Sequence, residues 1–224
     1  VNDTPKLVVR SSREPATILW KGSYSNNWDL VQTKNFWYND SSDYFVTGDT
    51  VIVNDEAGNQ VLNVTETVMP SALIFENTGN FVLTGKGEIA GEGTLTKRGS
   101  GKLSILNTNS FTGKVLLEEG IVEVKALPNS IDGNGAIGPV SANAALFEIN
   151  GGTLGVTAAT TSDRALTIGS AGATLQTNAN VAWNARISGG RLIKTGNHTL
   201  SLSAANTNTE LLLKAGTVQL STEQ

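Results

Sequence analysis

Hydrolysis of a glycan needs two carboxyls about 5 to 9.5 Å apart. Metal-assisted elimination needs several carboxylates around a hard cation and a nearby base. The acidic residues that could supply either set are scattered along the chain: Glu56, Glu66, Glu76, Glu88, Glu92, Glu118, Glu119, Glu123, Asp132, Glu148 and Asp163. Glu118 and Glu119 are adjacent, so a strand sends them to opposite faces. Glu119 and Glu123 flank Gly120, a turn residue. These read as solvated surface. His198, the single histidine, has no Gly-x-Ser-x-Gly elbow to accompany it and reads as a surface or turn residue. Asp49, Asn54, Asp55 and Glu56 offer oxygen ligands, but their spacing fits no calcium loop. Gly133-x-Gly135-x-x-Gly138 matches a dinucleotide fingerprint in form only, because no strand–helix–strand context surrounds it. The chain has no Cys, hence no thiol nucleophile, disulfide or thiolate metal site. No catalytic residue, metal or cofactor is assigned, and the reading leans away from an enzyme.

Two other groups could bind rather than catalyse. Eight of the 13 aromatic residues fall between positions 18 and 50. Trp20, Tyr24, Trp28, Trp37 and Tyr38 stand beside Asn26, Asn27, Asp29 and Asn39. Sugar rings pack on indole and phenol faces while amides and carboxylates bind hydroxyls. Trp20, Tyr24, Asn27, Trp28, Asp29, Trp37 and Tyr38 therefore form the candidate ligand-binding set. The competing reading is a hydrophobic cap. Trp183, alone between Asn180 and Asn184, is a lesser candidate. Lys97 and Lys194 recur at one repeat position. They read as exposed lysines at a coil edge that discourage edge-to-edge pairing, or as a paired basic site for an anionic glycan.

The elements that must position these residues are short. From Thr50 onward, β-branched or Leu-rich runs of three to four residues recur about every ten residues, with Gly, Asn, Thr and Asp between them. Examples are Val51–Val53, Val61–Val64, Phe81–Leu83, Lys102–Ile105 and Thr199–Leu202. Ser188-Gly189-Gly190 reads as a turn. No window carries a helical period. The composition agrees, with 24 Gly, 26 Thr and 22 Asn in 224 residues and only 16% charged. The net charge of −4 and the lack of a basic stretch argue against nucleic acid. No apolar run approaches the length of a membrane-spanning helix.

An internal repeat decides the architecture. Gly93–Val124 aligns with Gly190–Leu220: Lys97 meets Lys194, Gly99 meets Gly196, Leu103 meets Leu200, Asn109 meets Asn206 and Gly120 meets Gly216. Strands this short are stable only when stacked on copies of themselves, each gaining ladder hydrogen bonds at about 4.8 Å and one continuous core. The fold class expected is all-β, a parallel β-helix (solenoid) with an aromatic-rich N-terminal cap. The expected division is a leading segment or linker from an upstream domain at 1–17, then a β-helix at 18–224 with its capping region at 18–50. Leu7, Val8 and Val9 form one short β-like run in the leading segment, followed by a turn at 11–15. No signal peptide is present at Val1, so a mature or excised piece of a longer chain is expected.

The unit at Gly93–Val124 resembles the autotransporter-associated β-strand repeat, also called the passenger-associated transport repeat. The residues that carry the resemblance are Gly93, Leu95, Lys97, Gly99, Gly101, Leu103, Asn109, Phe111, Gly113, Gly120, Val122 and Val124. In the second copy His198 replaces a Gly, and Phe111 and Gly113 lack counterparts. The lead-in (Trp20-Lys21-Gly22, Asn27-Trp28-Asp29, Asn35-Phe36-Trp37, Gly48-Asp49-Thr50-Val51) is similar to what precedes such repeats. The resemblance implies a right-handed, single-stranded parallel β-helix in an exported bacterial protein, secreted or at the cell surface. It transfers no catalytic site. The function expected is a non-catalytic, carbohydrate-binding or adhesive accessory module of a larger protein. Its partners would be a polysaccharide or glycan and neighbouring domains of the same polypeptide, with no nucleic acid and no membrane insertion. The alternatives are a purely structural stalk or passenger segment, and a polysaccharide lyase or hydrolase.

Overall fold

The computed structural model describes residues 13–221 except 130 and 132. The Leu7–Val9 run and Asp132 lie outside the described residues, as do Ser11 and Ser12 of the 11–15 turn. The described chain is almost wholly β and winds into a parallel solenoid of about eight turns.

It begins with β1 (Thr17–Trp20) and β2 (Asn27–Trp28), then a hairpin of β3 (Phe36–Tyr38) and β4 (Ser41–Asp43). Four two-strand coils follow. They are β5 (Thr50–Asn54) with β6 (Val61–Val64), β7 (Ala72–Glu76) with β8 (Asn80–Gly85), β9 (Thr94–Arg98) with β10 (Lys102–Ile105), and β11 (Val115–Leu117) with β12 (Ile121–Val124). An insertion then runs to a single 3-10 turn, Ala144–Leu146. The later coils have a third strand: β13 (Phe147–Ile149), β14 (Thr153–Val156) and β15 (Thr160–Ser162), then β16 (Leu166–Ile168), β17 (Ala173–Thr177) and β18 (Val181–Trp183). In the last two coils the first two faces fuse into single long strands. These are β19 (Ile187–Thr195) with β20 (Thr199–Leu202), and β21 (Thr207–Leu213) with β22 (Thr217–Leu220). The Ser188-Gly189-Gly190 segment, expected as a turn, lies inside β19. Gly189 (φ +100°) lets the strand bend from face to face without breaking.

The strands alternate inward and outward residues, and register stacks the inward ones into columns. On the second face Phe81 lies beside Leu103, then Val122, Leu154 and Leu175. On the first face Val53 is followed by Phe75, Lys97, Leu117 and Ile149. Each buried Leu, Val or Phe contributes about 1.5–3 kcal/mol relative to exposure. No layer has a core of its own, so each coil depends on its neighbours.

The two ends differ. β1 pairs in parallel with β5 on one side and antiparallel with β3 on the other, and β3 pairs with β4. The hairpin thus covers the starting edge. At the far end β21 and β22 have no further strand beside them among the described residues, and Leu211, Leu213 and Leu220 are exposed.

Candidate functional site

Four of the eight rings between positions 18 and 50 are buried, as the cap reading expects. Trp20 and Trp28 are fully buried, as are Phe36 and Phe45. Edge-to-face contacts link them: Trp20 to Phe36 at 5.2 Å, Trp28 to Phe36 at 5.8 Å and Trp28 to Phe45 at 5.3 Å between ring centres. Trp20 and Trp28 present no ring face to a ligand. Asp29 is also buried. It accepts from the backbone N–H of Gln32 and Thr33 and from the Thr33 hydroxyl, so its oxygens are already occupied. The Asn27 side-chain oxygen accepts from Asn63. Tyr38 packs against the core with the Arg13 guanidinium 4.6 Å above its ring. Of the seven candidates only Tyr24 and Trp37 are exposed, at 68% and 40%. Trp183 is fully buried too.

Asn35 and Asp49 hold this cap together. Asn35 is fully buried. It accepts from the N–H of Tyr24 and Ser25 and donates to the Ser25 hydroxyl and the Asn27 carbonyl. Asp49, considered above as a cation ligand, takes both Arg13 terminal nitrogens at 2.6 and 2.8 Å and the N–H of Ala16 and Val46. That bidentate pair raises the Arg13 pKa above its ordinary value. Asp55 accepts from the N–H of Thr78 and Gly79, which lowers its pKa.

The lysines of the repeat overturn the expectation of exposed coil-edge residues: Lys97 and Lys194 are fully buried. Each turns its ammonium into a corner of the coil. Lys97 Nζ donates to the carbonyls of Arg98 and Gly99, at 2.6 and 2.5 Å. Lys194 Nζ donates to Thr195, Gly196 and Ala215, at 2.8 to 2.9 Å. Glycines close the corner from the next coil. A Cβ at Gly120 would lie 2.9 Å from Lys97 Nζ, and one at Gly216 would lie 2.8 Å from Lys194 Nζ. The repeated Asn also bonds within the stack: the buried Asn109 accepts from the N–H of Ile89, and the half-buried Asn206 from that of Ile187. Both bonds tie a coil to its predecessor. In the first copy the corner joins faces one and two, through β9 and β10. In the second it joins faces two and three, through β19 and β20, so the corner has moved round by one face.

Burial lowers the Lys97 pKa from 10.5 to about 8, against the opposing pull of Glu119 and Asp55. A base whose folded pKa is depressed keeps fewer protons in the folded than in the unfolded chain between those two values. Stability contributed by Lys97 is therefore smallest below about pH 8 and rises toward pH 10.5. The free energy of unfolding of the wild type, relative to Lys97→Met, should rise by about 3 kcal/mol across this window. Urea titrations at a series of pH values measure it. A flat difference, or a Lys97 ammonium that titrates near 10.5 by NMR, contradicts it.

The acidic residues make ion pairs between coils. Glu118 meets Arg98, Glu123 meets Lys102, Glu148 meets Lys114 and Glu210 meets Arg191, at 2.6 to 3.0 Å. Such exposed or half-exposed pairs contribute about 0–1 kcal/mol each. Among the described residues no group of three His, Cys, Asp or Glu could hold a metal ion. His198 is exposed in the turn before β20. A cleft of about 800 Å³ runs along the third face, between the insertion and β15, β18 and β20. Asn129, Asn134, Thr161, Asn180 and Ser201 line it, and Lys125 is its one charged residue among the described ones. No carboxylate among the described residues lines it to act as acid or base.

The family model Passenger-associated-transport-repeat matches residues 95–124 and 192–220. These spans contain the two Lys–Gly–Asn corners. No curated protein and no solved structure matches the chain. Among the described residues no helix is long and apolar enough to cross a membrane.

Proposed function

We propose that this chain is a non-catalytic β-helix segment of a longer, exported polypeptide, acting as a stiff stalk that holds other regions of that polypeptide away from the cell surface. One observation carries the reading. The Lys, Gly and Asn shared by the two copies are all used inside the stack, to satisfy corner carbonyls and to tie coil to coil. A repeat whose polar residues face inward maintains a scaffold and leaves recognition to other residues. The matched repeat belongs to autotransporter passengers, which are secreted or surface exposed and form segments of larger proteins.

The uneven ends support the same reading. A hairpin and an aromatic cluster seal one end, while the other presents Leu211, Leu213, Leu220 and two strand edges left unpaired among the described residues. That end is suited to another coil. Fusing a copy of residues 202–220 directly behind residue 220 preserves the step from Ser188 to its register partner Thr207. Amide exchange in β21 and β22 should then slow by at least about tenfold. Unchanged exchange would show that the end is a finished surface.

The third-face cleft favours a second reading, in which the stalk also binds a neutral glycan. Asn and Thr side chains line it with no carboxylate among the described residues, which suits hydroxyl groups better than ionic or catalytic chemistry. Glycan arrays with the wild type and Asn180→Ala test it, and equal signals from both proteins count against the cleft.

A further inference from the structure

The insertion after β12 folds back over the stack and meets Arg164, which lies between β15 and β16. Gly138 has φ +76°, and a Cβ there would come within 2.3 Å of the Phe111 carbonyl. This close approach brings the carbonyls of Gly138 and Pro139 onto Arg164. Arg164 is 3% exposed. Its Nη2 donates to Gly138 O at 2.7 Å and also to Pro139 O. Its guanidinium carbon lies 5.7 Å from the centre of the Phe147 ring. Its Nε is buried and has no hydrogen-bond partner. No carboxylate among the described residues pairs with it. Burial alone accounts for its pKa, which is lowered to about 10.

Arg164 is among the residues lining a cavity of about 170 Å³. Its walls are mostly apolar: Phe111, Ile137, Pro139, Val140 and Leu146, with Thr112 and Ser141 supplying hydroxyls. Thr112 is exposed, so the cavity has a solvent-facing side.

We propose that this cavity binds a small organic acid, a carboxylate on a compact apolar body the size of benzoate. The carboxylate would meet Arg164 and the body would lie among Phe111, Ile137 and Leu146. Three observations converge on that class. A guanidinium held out of water with no anionic partner carries a desolvation cost that a bound carboxylate would offset. Its unpartnered Nε–H offers a charge-assisted donor to one carboxylate oxygen. An apolar cavity of about 150 Å³ admits a benzene-sized guest, so the volume here leaves room for one ring and a carboxylate but not for a sugar chain. The walls also offer few groups for a sugar's hydroxyls.

Calorimetric titration of the intact chain with benzoate, and with benzamide as its neutral isostere, tests this. Benzoate should bind saturably and at least about tenfold more tightly than benzamide. Arg164→Met should weaken benzoate by at least about tenfold and leave benzamide unchanged. No saturable binding of benzoate up to about 10 mM, or equal affinity for the two compounds, overturns the proposal. If Arg164→Met fails to fold, the benzoate–benzamide comparison on the wild type decides alone.

Discussion

Alanine at Gly120 should destabilise the chain by more than about 4 kcal/mol, while alanine at Gly133 should cost about 1 kcal/mol. The two glycines have nearly the same backbone, φ +69° and +74°. An L-residue pays about 1–2 kcal/mol for that conformation at either site. The surroundings differ. Nothing lies within 4 Å of a Cβ built at Gly133. At Gly120 the Cβ would lie 2.3 Å from Gly101 O and 2.4 Å from Gly99 O, and 2.9 Å from Lys97 Nζ. Gly99 O is also an acceptor for Lys97. The methyl group must therefore push neighbouring coils apart or expel a buried ammonium from its carbonyls, and neither neighbour is the loose end of a flexible chain. Gly216 has φ +74° and nearly as short contacts, 2.5 Å to Gly196 O and 2.6 Å to His198 O, but it lies in the last described coil. There the strain can be relieved by fraying one coil, so its cost should fall between the other two. Chemical denaturation of the three variants, with amide exchange to locate the loss, gives the ordering. Equal costs at Gly120 and Gly133 would contradict the role assigned to the corner.

The solenoid was readable from sequence because its period is written twice, in short β-branched runs and in the Gly and Asn between them. The runs named in the sequence, from Val51–Val53 to Thr199–Leu202, coincide with strands or fall within them. The strands missed were β1, β2, β3 and β4 at and within the aromatic region, together with β15 and β18 on the third face. β2 has only two residues, and β4 is polar throughout. The buried lysines were misjudged for a different reason. Charge suggested solvent, yet Lys97 has the same parity as Leu95, and Lys194 the same as Leu192. That alternation points all four inward. Residue type outweighed position in the sequence reading, whereas in the fold the corner carbonyls supply what an ammonium needs. The shift of the second copy by one face is invisible in sequence, because both copies share one local pattern. Only the fusion of faces one and two in β19 shows it. Arg164 gave no signal either, since its carbonyl partners lie in an insertion outside the repeat.

Trp28→Ala should cost about 3–5 kcal/mol, and the loss should be confined to one end of the molecule. Trp28 is fully buried, pairs in register with Val64, and touches both Phe36 and Phe45. Removing the indole leaves a cavity beneath the hairpin that covers β1. In a stack where each coil contacts only its neighbours, the damage propagates from that end. Amide exchange in β5 and β6 should accelerate, while β17, β18 and β20 keep their protection. Tyr24→Ala and Trp37→Ala remove the two exposed rings of the same region and should change stability by less than about 0.5 kcal/mol. The three variants separate capping from recognition. A ring that serves the fold acts through exchange near its own end and leaves glycan affinity unchanged in the folded fraction. A ring that serves a ligand does the reverse. If Trp28→Ala melts the whole chain uniformly, the coils are coupled more strongly than nearest-neighbour stacking allows. If it leaves β5 and β6 protected, the aromatic cluster is not what seals the starting edge, and the antiparallel hairpin suffices.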